Sequence, residues 1–260
     1  MRTFLATIVV LFATGCVIWF ANHLTHFGTP PDPNDPRQAG ILAPDVLKRN
    51  LAVDSDVLQE RVRKREISDE KAKELMAKDA EEKLNQVDLK RIPPAKAWEY
   101  AEEFITAKRW DDAKNALEVA IKVAKDEDRR VNDRLRLARV LAELGDVKSA
   151  IPMARSTFDT NNTSAAPILP ATLLEIVPAA EGKGDDAGLA ALLEDAIKCE
   201  QRTIVDPNTE PGKAFLLARP FHIRNAYRKE IELYESAKLP DKAKAAQAES
   251  DKVLNEQAGA

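Results

Sequence analysis

Tyr100-Ala101-Glu102-Glu103-Phe104, followed by Ala113, Leu117 and Ala120, is the stretch on which the fold of this chain turns. Side chains three and four apart share one face of a helix. Ala101 therefore offers a small contact, and Phe104 a large apolar one, on the same stripe. Trp110 and Asp111-Asp112 open a second helix whose stripe begins at Ala113. The pattern returns at Leu137-Ala138 and Leu141, then, after a Gly145-Asp146 turn, at Ala150 and Ala154. In both copies twelve residues separate the first alanine from the one that opens the returning helix. Each copy predicts a helical hairpin with alanine where the two helices approach most closely.

Ala113 and Ala150 stand 37 residues apart. An alanine-spaced hairpin at this period resembles the tetratricopeptide repeat family, whose units recur at roughly 34 residues. The resemblance implies an all-α chain in which helix pairs stack into an α-solenoid with a curved surface that holds other proteins. It also implies which side chains face inward: Trp98, Glu102 and Ile105 from the first unit, and Leu135, Arg136, Arg139 and Glu143 from the second. Family members that clamp a terminal carboxylate carry lysine and asparagine at such places. Trp98 and Leu135 stand there instead, which favours a mixed apolar and arginine-lined groove for a helix or extended segment. Trp98 has a second reading, as packing between repeats. A third unit over about 167–203 and a fourth carrying Ile231, Tyr234 and Ala243 match the family less well. Pro178 is expected to kink or shorten the first helix of the third unit, and Pro152 to fall in the first turn of its own helix.

Composition agrees with helices. Aromatic residues make up 5% of the 260 and charged residues 32%, a balance poor in what sandwiches and barrels pack with. The net charge of −4 comes from mixed signs and gives no basic face for nucleic acid. Of the two cysteines, Cys16 lies in an apolar run and Cys199 in a buried-looking stripe, so a disulfide between them is not expected.

From Thr3 to Ala21 no side chain is charged. At about 1.5 Å per residue such a run reaches roughly the 30 Å of a bilayer core. Trp19 and Phe20 mark one end and Arg2 the other, favouring a cytoplasmic N-terminus. Three readings stay open. A retained signal anchor ranks first, because the run is long for a signal-peptide core. A lipoprotein acylated at Cys16 follows, and simple cleavage is third. Each places the rest of the chain beside a membrane, with the repeats on its outer side.

The expected division is thus a transmembrane anchor over 1–27, a Pro-rich linker over 28–53, charged amphipathic helices over 54–92 and the repeat domain over 93–256. Prolines 30, 31, 33, 36 and 44 make the linker a semi-rigid spacer. In the charged section Glu60–Lys64, Asp69–Lys73, Glu74–Lys78 and Asp79–Lys83 place acid four residues before base. Ser68 is the expected cap of the second charged helix, whose stripe is Ala72, Leu75, Met76, Ala80, Leu84 and Val87.

The catalytic inventory is poor. Gly182-Lys183-Gly184 lacks the spacing of a phosphate loop, no Gly-x-Ser-x-Gly elbow occurs, and three histidines with the one cysteine outside the apolar run assemble no metal cluster. His23 and His26 read as amphipathic residues at headgroup level, His222 as a satisfied helix or loop residue. Asp111-Asp112 and Asp185-Asp186 read as helix caps, and Asn161-Asn162-Thr163-Ser164 contains overlapping glycosylation sequons. The expectation is a non-catalytic, membrane-anchored scaffold for unidentified protein partners, without cofactor or metal. The alternative is an accessory subunit of a larger membrane complex.

Overall fold

A computed structural model describes residues 43–85, 87–159 and 163–258. The expected anchor, with Cys16, His23 and His26, most of the expected linker and the sequon asparagines lie outside the described residues. All regular structure among the described residues is helical. Of the described helices, none is long and apolar enough to cross a membrane.

The first helix, Pro44–Arg63 (α1), corrects the expected linker boundary at 53. Pro44 sits at the first helical position, where its missing amide is harmless. It marks a helix start rather than a continued spacer, and Leu47, Leu51 and Leu58 are buried behind it. Asp69–Leu84 (α2) follows, with Ser68 accepting the Lys71 amide at 3.2 Å. Of the four charge pairs expected here, Glu60–Lys64 and Asp79–Lys83 form. Lys71 takes Glu74 instead, and Lys83 also reaches Asp54, tying α2 to α1.

Two short 3-10 turns, Leu89–Arg91 and Pro94–Lys96, lead to Ala97–Thr106 (α3) and Trp110–Val123 (α4). The second hairpin is Glu127–Glu143 (α5) and Val147–Arg155 (α6). Ala101, Phe104, Ala113, Leu117, Ala138, Ala150 and Ala154 are all fully buried, as their spacing predicts. Alanine there lets two backbones come close, and each large apolar neighbour contributes roughly 1.5–3 kcal/mol by leaving water. Pro152 lies in the second turn of α6, not the first.

Both hairpins turn in the same way. Arg109 N–H donates to Phe104 O at 2.8 Å and Lys108 N–H to Ile105 O at 3.0 Å. Asp146 to Leu141 and Gly145 to Ala142 repeat those bonds at 2.9 and 3.0 Å, and Leu239 to Tyr234 and Lys238 to Glu235 repeat them again at 2.9 Å each. The residue after each helix cap, Lys108, Gly145 or Lys238, has a positive φ of 56°, 81° or 58°. This is the Schellman closure, which satisfies the last carbonyls and reverses the chain.

The third unit begins with Ile168–Ala171 (α7), a π turn over Thr172–Ile176 and Val177–Ala180 (α8). The π turn stands directly before Pro178, the place where a kink or a shortened helix is expected. Proline offers no amide to Leu174 O and its ring crowds that carbonyl. The chain absorbs this by one wider turn, Val177 N–H bonding Thr172 O, and continues as a helix. Asp186–Arg202 (α9), the 27-residue Glu210–Ser236 (α10) and Pro240–Ala258 (α11) complete the chain. Asp185 caps α9 through the Gly188 amide at 2.9 Å, whereas Asp112 pairs with Arg109 and caps nothing.

From α1 to α6 each helix packs on the next, and so do α9, α10 and α11. The third unit joins the second by α5 against the π turn and α8, and by α6 against α9. One apolar core runs through these interfaces, from Leu47 to Ala246.

Candidate functional site

The face expected to bind a partner is built by α3 and α5. Trp98 and Glu102 are one turn apart on α3, and Arg129, Asp133, Arg136 and Arg139 follow one another along α5. The Arg129 guanidinium lies 4.2 Å from the Trp98 ring centroid. Asp133 is fully buried, with Arg129 Nε at 3.8 Å and Arg136 Nη1 at 3.5 Å. Arg136 Nη2 bonds Glu102 at 2.7 Å, and Lys48 from α1 approaches the same carboxylate at 3.6 Å. The result is a ladder of alternating charge that stitches α1 and α3 to α5.

The ladder continues toward the third unit. Arg139 Nη1 bonds Glu175 Oε2 at 3.0 Å. Lys183 Nζ donates to the carbonyls of Ala142 and Glu143 at 2.9 and 3.3 Å, where the C-terminal end of α5 carries partial negative charge. Arg139, Glu143, Leu174, Glu175 and Lys183 rim a shallow depression of about 270 Å³.

Six of the seven sequence-chosen residues reach the surface of this face or its edge: Trp98, Glu102, Ile105, Arg136, Arg139 and Glu143 are partly exposed. Ile105 is packed against the core with one side open. Leu135 is a correction. At 3% exposure it belongs to the core and lines no groove, because α5 is covered by both α4 and α6. The arginine contact of Trp98 joins two hairpins, which favours the packing reading of that residue.

Burial controls the acids of this region. Desolvation raises the Asp133 carboxyl above the usual range, against the pull of Arg136 and Arg129. Glu103, on the inner side of α3, is pushed up to about 7 by burial, opposed by Lys48 and reinforced by Glu102. Neither Asp133 oxygen has a hydrogen-bond partner.

Sequence reasoning missed Arg129 and Asp133, although Arg129, Asp133 and Arg136 at helical spacing are a readable stripe. It also missed a polar cluster at the C-terminal end. Glu200, 2% exposed and pushed up to about 7 by burial, has Oε1 without a hydrogen bond. His222 Nδ1 is 3.8 Å away and also lacks a partner, so His222 is helical but not satisfied; burial lowers its pKa. Arg219 stacks on Phe215 at 4.8 Å and donates to Thr203 O at 2.6 Å. Beside them Ile204, Leu217 and Phe221 are 73%, 85% and 65% exposed, the most open apolar side chains of this end.

Among the described residues no group of three His, Cys, Asp or Glu side chains is arranged to hold a metal ion. Comparison with family models, with curated proteins and with solved structures finds no match to this chain.

Proposed function

We propose that this chain is a non-catalytic, membrane-anchored scaffold, a tetratricopeptide-like α-solenoid that presents the α3–α5 face to a protein partner. The observation that carries the reading is the repeated hairpin: the same Schellman closure, with buried alanines at the crossings of the first two copies, recurs at Lys108, Gly145 and Lys238. Stacked units of this kind draw their stability from neighbour interfaces and leave long surfaces free for recognition. The face itself suits exchange of partners. Its outer pairs, Glu102–Arg136 and Arg139–Glu175, are about one-third exposed, so each holds by no more than about 1 kcal/mol. A partner carboxylate or amide replaces such a bond at little cost. The uncharged run from Thr3 to Ala21 supplies the membrane attachment, with the repeats on the outer side.

Site-specific photo-crosslinking in native membranes tests this. A photoreactive side chain at Ile105 or Arg139 is expected to capture the same protein, and one at Lys252 in α11 to capture none of it. Different adducts from the two face positions, or equal capture from Lys252, refute the reading. Extraction at alkaline pH is expected to leave the full chain in the membrane and to release a form lacking residues 1–27.

A further inference from the structure

A cleft of about 420 Å³ opens between α9, α10 and α11. Glu230 of α10 lines it and is 2% exposed, yet its Oε2 has no hydrogen-bond partner. Asp133 and Glu200 also carry unbonded oxygens, but Asp133 has two arginines beside it and Glu200 has Arg219. The charges facing Glu230 are already engaged. On α9, Lys198 pairs with Glu194 at 2.5 Å. Tyr234, on the same helix as Glu230, donates its hydroxyl to Glu194 at 3.4 Å. On α11, Lys242 Nζ lies 5.4 Å from the Tyr234 ring centroid, and Glu249 faces the same space. Glu194 takes Lys198 and Glu249 takes Lys252 at 3.9 Å, which leaves Glu230 as the acid of the cleft with an unbonded oxygen. Tyr227 adds a second aromatic wall.

We propose that this cleft binds an alkylammonium group, carried on a lysine side chain or a free alkylamine, with its N–H groups donating to Glu230 Oε2. A cation entering here meets an unpaired carboxyl, a low-dielectric wall and aromatic faces, each of which favours positive charge. Its alkyl stem packs on Ala245 and Ala246. The inference stands apart from the scaffold reading, since the cleft and the α3–α5 face share no residue. Burial and the neighbouring Glu194 push Glu230 up to about 8, so its carboxyl holds a proton at neutral pH. Binding the ammonium ion releases that proton to solvent and leaves the carboxylate paired. Affinity then rises about tenfold per pH unit up to about pH 8 and levels off above.

Isothermal calorimetry on the full chain, with cadaverine as the free amine and a blocked Gly-Lys-Gly peptide as the side-chain probe, decides the matter. Saturable binding of either is expected, with release of about one proton near pH 7, read from heats in phosphate and in a sulfonate buffer. Glu230→Gln keeps the shape of the side chain and is expected to weaken binding at least about tenfold. Glu118→Gln on α4 is expected to change nothing. Thermal unfolding of Glu230→Gln at or above the wild-type temperature confirms that the loss is not misfolding. Cadaverine alone binding assigns the cleft to free amines, and the peptide alone assigns it to a protein lysine. Binding of neither, binding unaffected by Glu230→Gln, or preferential binding of succinate overturns the proposal.

Discussion

Glu103→Gln probes how the interior of α3 is held. Glu103 is 6% exposed, and its carboxyl is pushed from 4.5 up to about 7, chiefly by burial. The native state therefore keeps a proton that the unfolded chain gives up between those values. The stability this proton confers is complete below pH 4.5, is lost as pH rises, and is gone above about 7. A shift of this size, at about 1.4 kcal/mol per unit, corresponds to roughly 3 kcal/mol. Part of this titration lies below about pH 5, which leaves about 2 kcal/mol between about pH 5 and about pH 8. Glutamine keeps the shape and does not titrate. Relative to wild type, the variant is thus expected to gain about 2 kcal/mol on going from about pH 5 to about pH 8. Urea unfolding followed by far-ultraviolet circular dichroism at both pH values measures this directly. Glu200 and Glu230 titrate in the same range but are common to both proteins, and they cancel in the difference. A stability difference independent of pH refutes the claim that burial controls this carboxyl.

Four further outcomes follow from the packing. Ala113→Leu forces extra methylenes into a fully buried crossing and is expected to cost about 1–3 kcal/mol in chemical denaturation. Asp146→Ala removes the side chain that accepts the Ser149 amide at 3.2 Å, and a loss of about 1 kcal/mol is expected, largely restored by Asp146→Asn. Lys108→Gly relieves a left-handed φ of 56° and is expected to raise the melting temperature, since the relief of about 1 kcal/mol exceeds the added chain entropy. A double-mutant cycle on Glu102 and Arg136 is expected to return a coupling below about 1 kcal/mol, reduced further by salt.

The hairpins were legible because alanine spacing is local: one face of one helix is enough to read it, and Ala101, Ala113, Ala138 and Ala150 are all fully buried. What could not be read depends on the neighbour opposite. Leu135 looks like a surface residue until α4 and α6 close over α5. Asp133, Glu103, Glu200 and Glu230 carry no mark of burial in the sequence, since an acid beside apolar residues on a helix reads as its polar edge. Pro44 reads as one more of the prolines before it, although Leu47 and Leu51 after it already run at helical spacing. The candidate face was legible as to six of its residues, while its binding to each other, rather than to open solvent, came from geometry alone.

The π turn at Thr172–Ile176 leaves a mark on the numbering of everything downstream. A wide turn accommodates a one-residue insertion without breaking its helix, so residues past Val177 are offset by one against an uninterrupted helical count. Removing a single residue there would leave the proline inside the helix and swing Val177–Ala180 by roughly 100°, turning Val177 and Ala180 out of the interior they now fill.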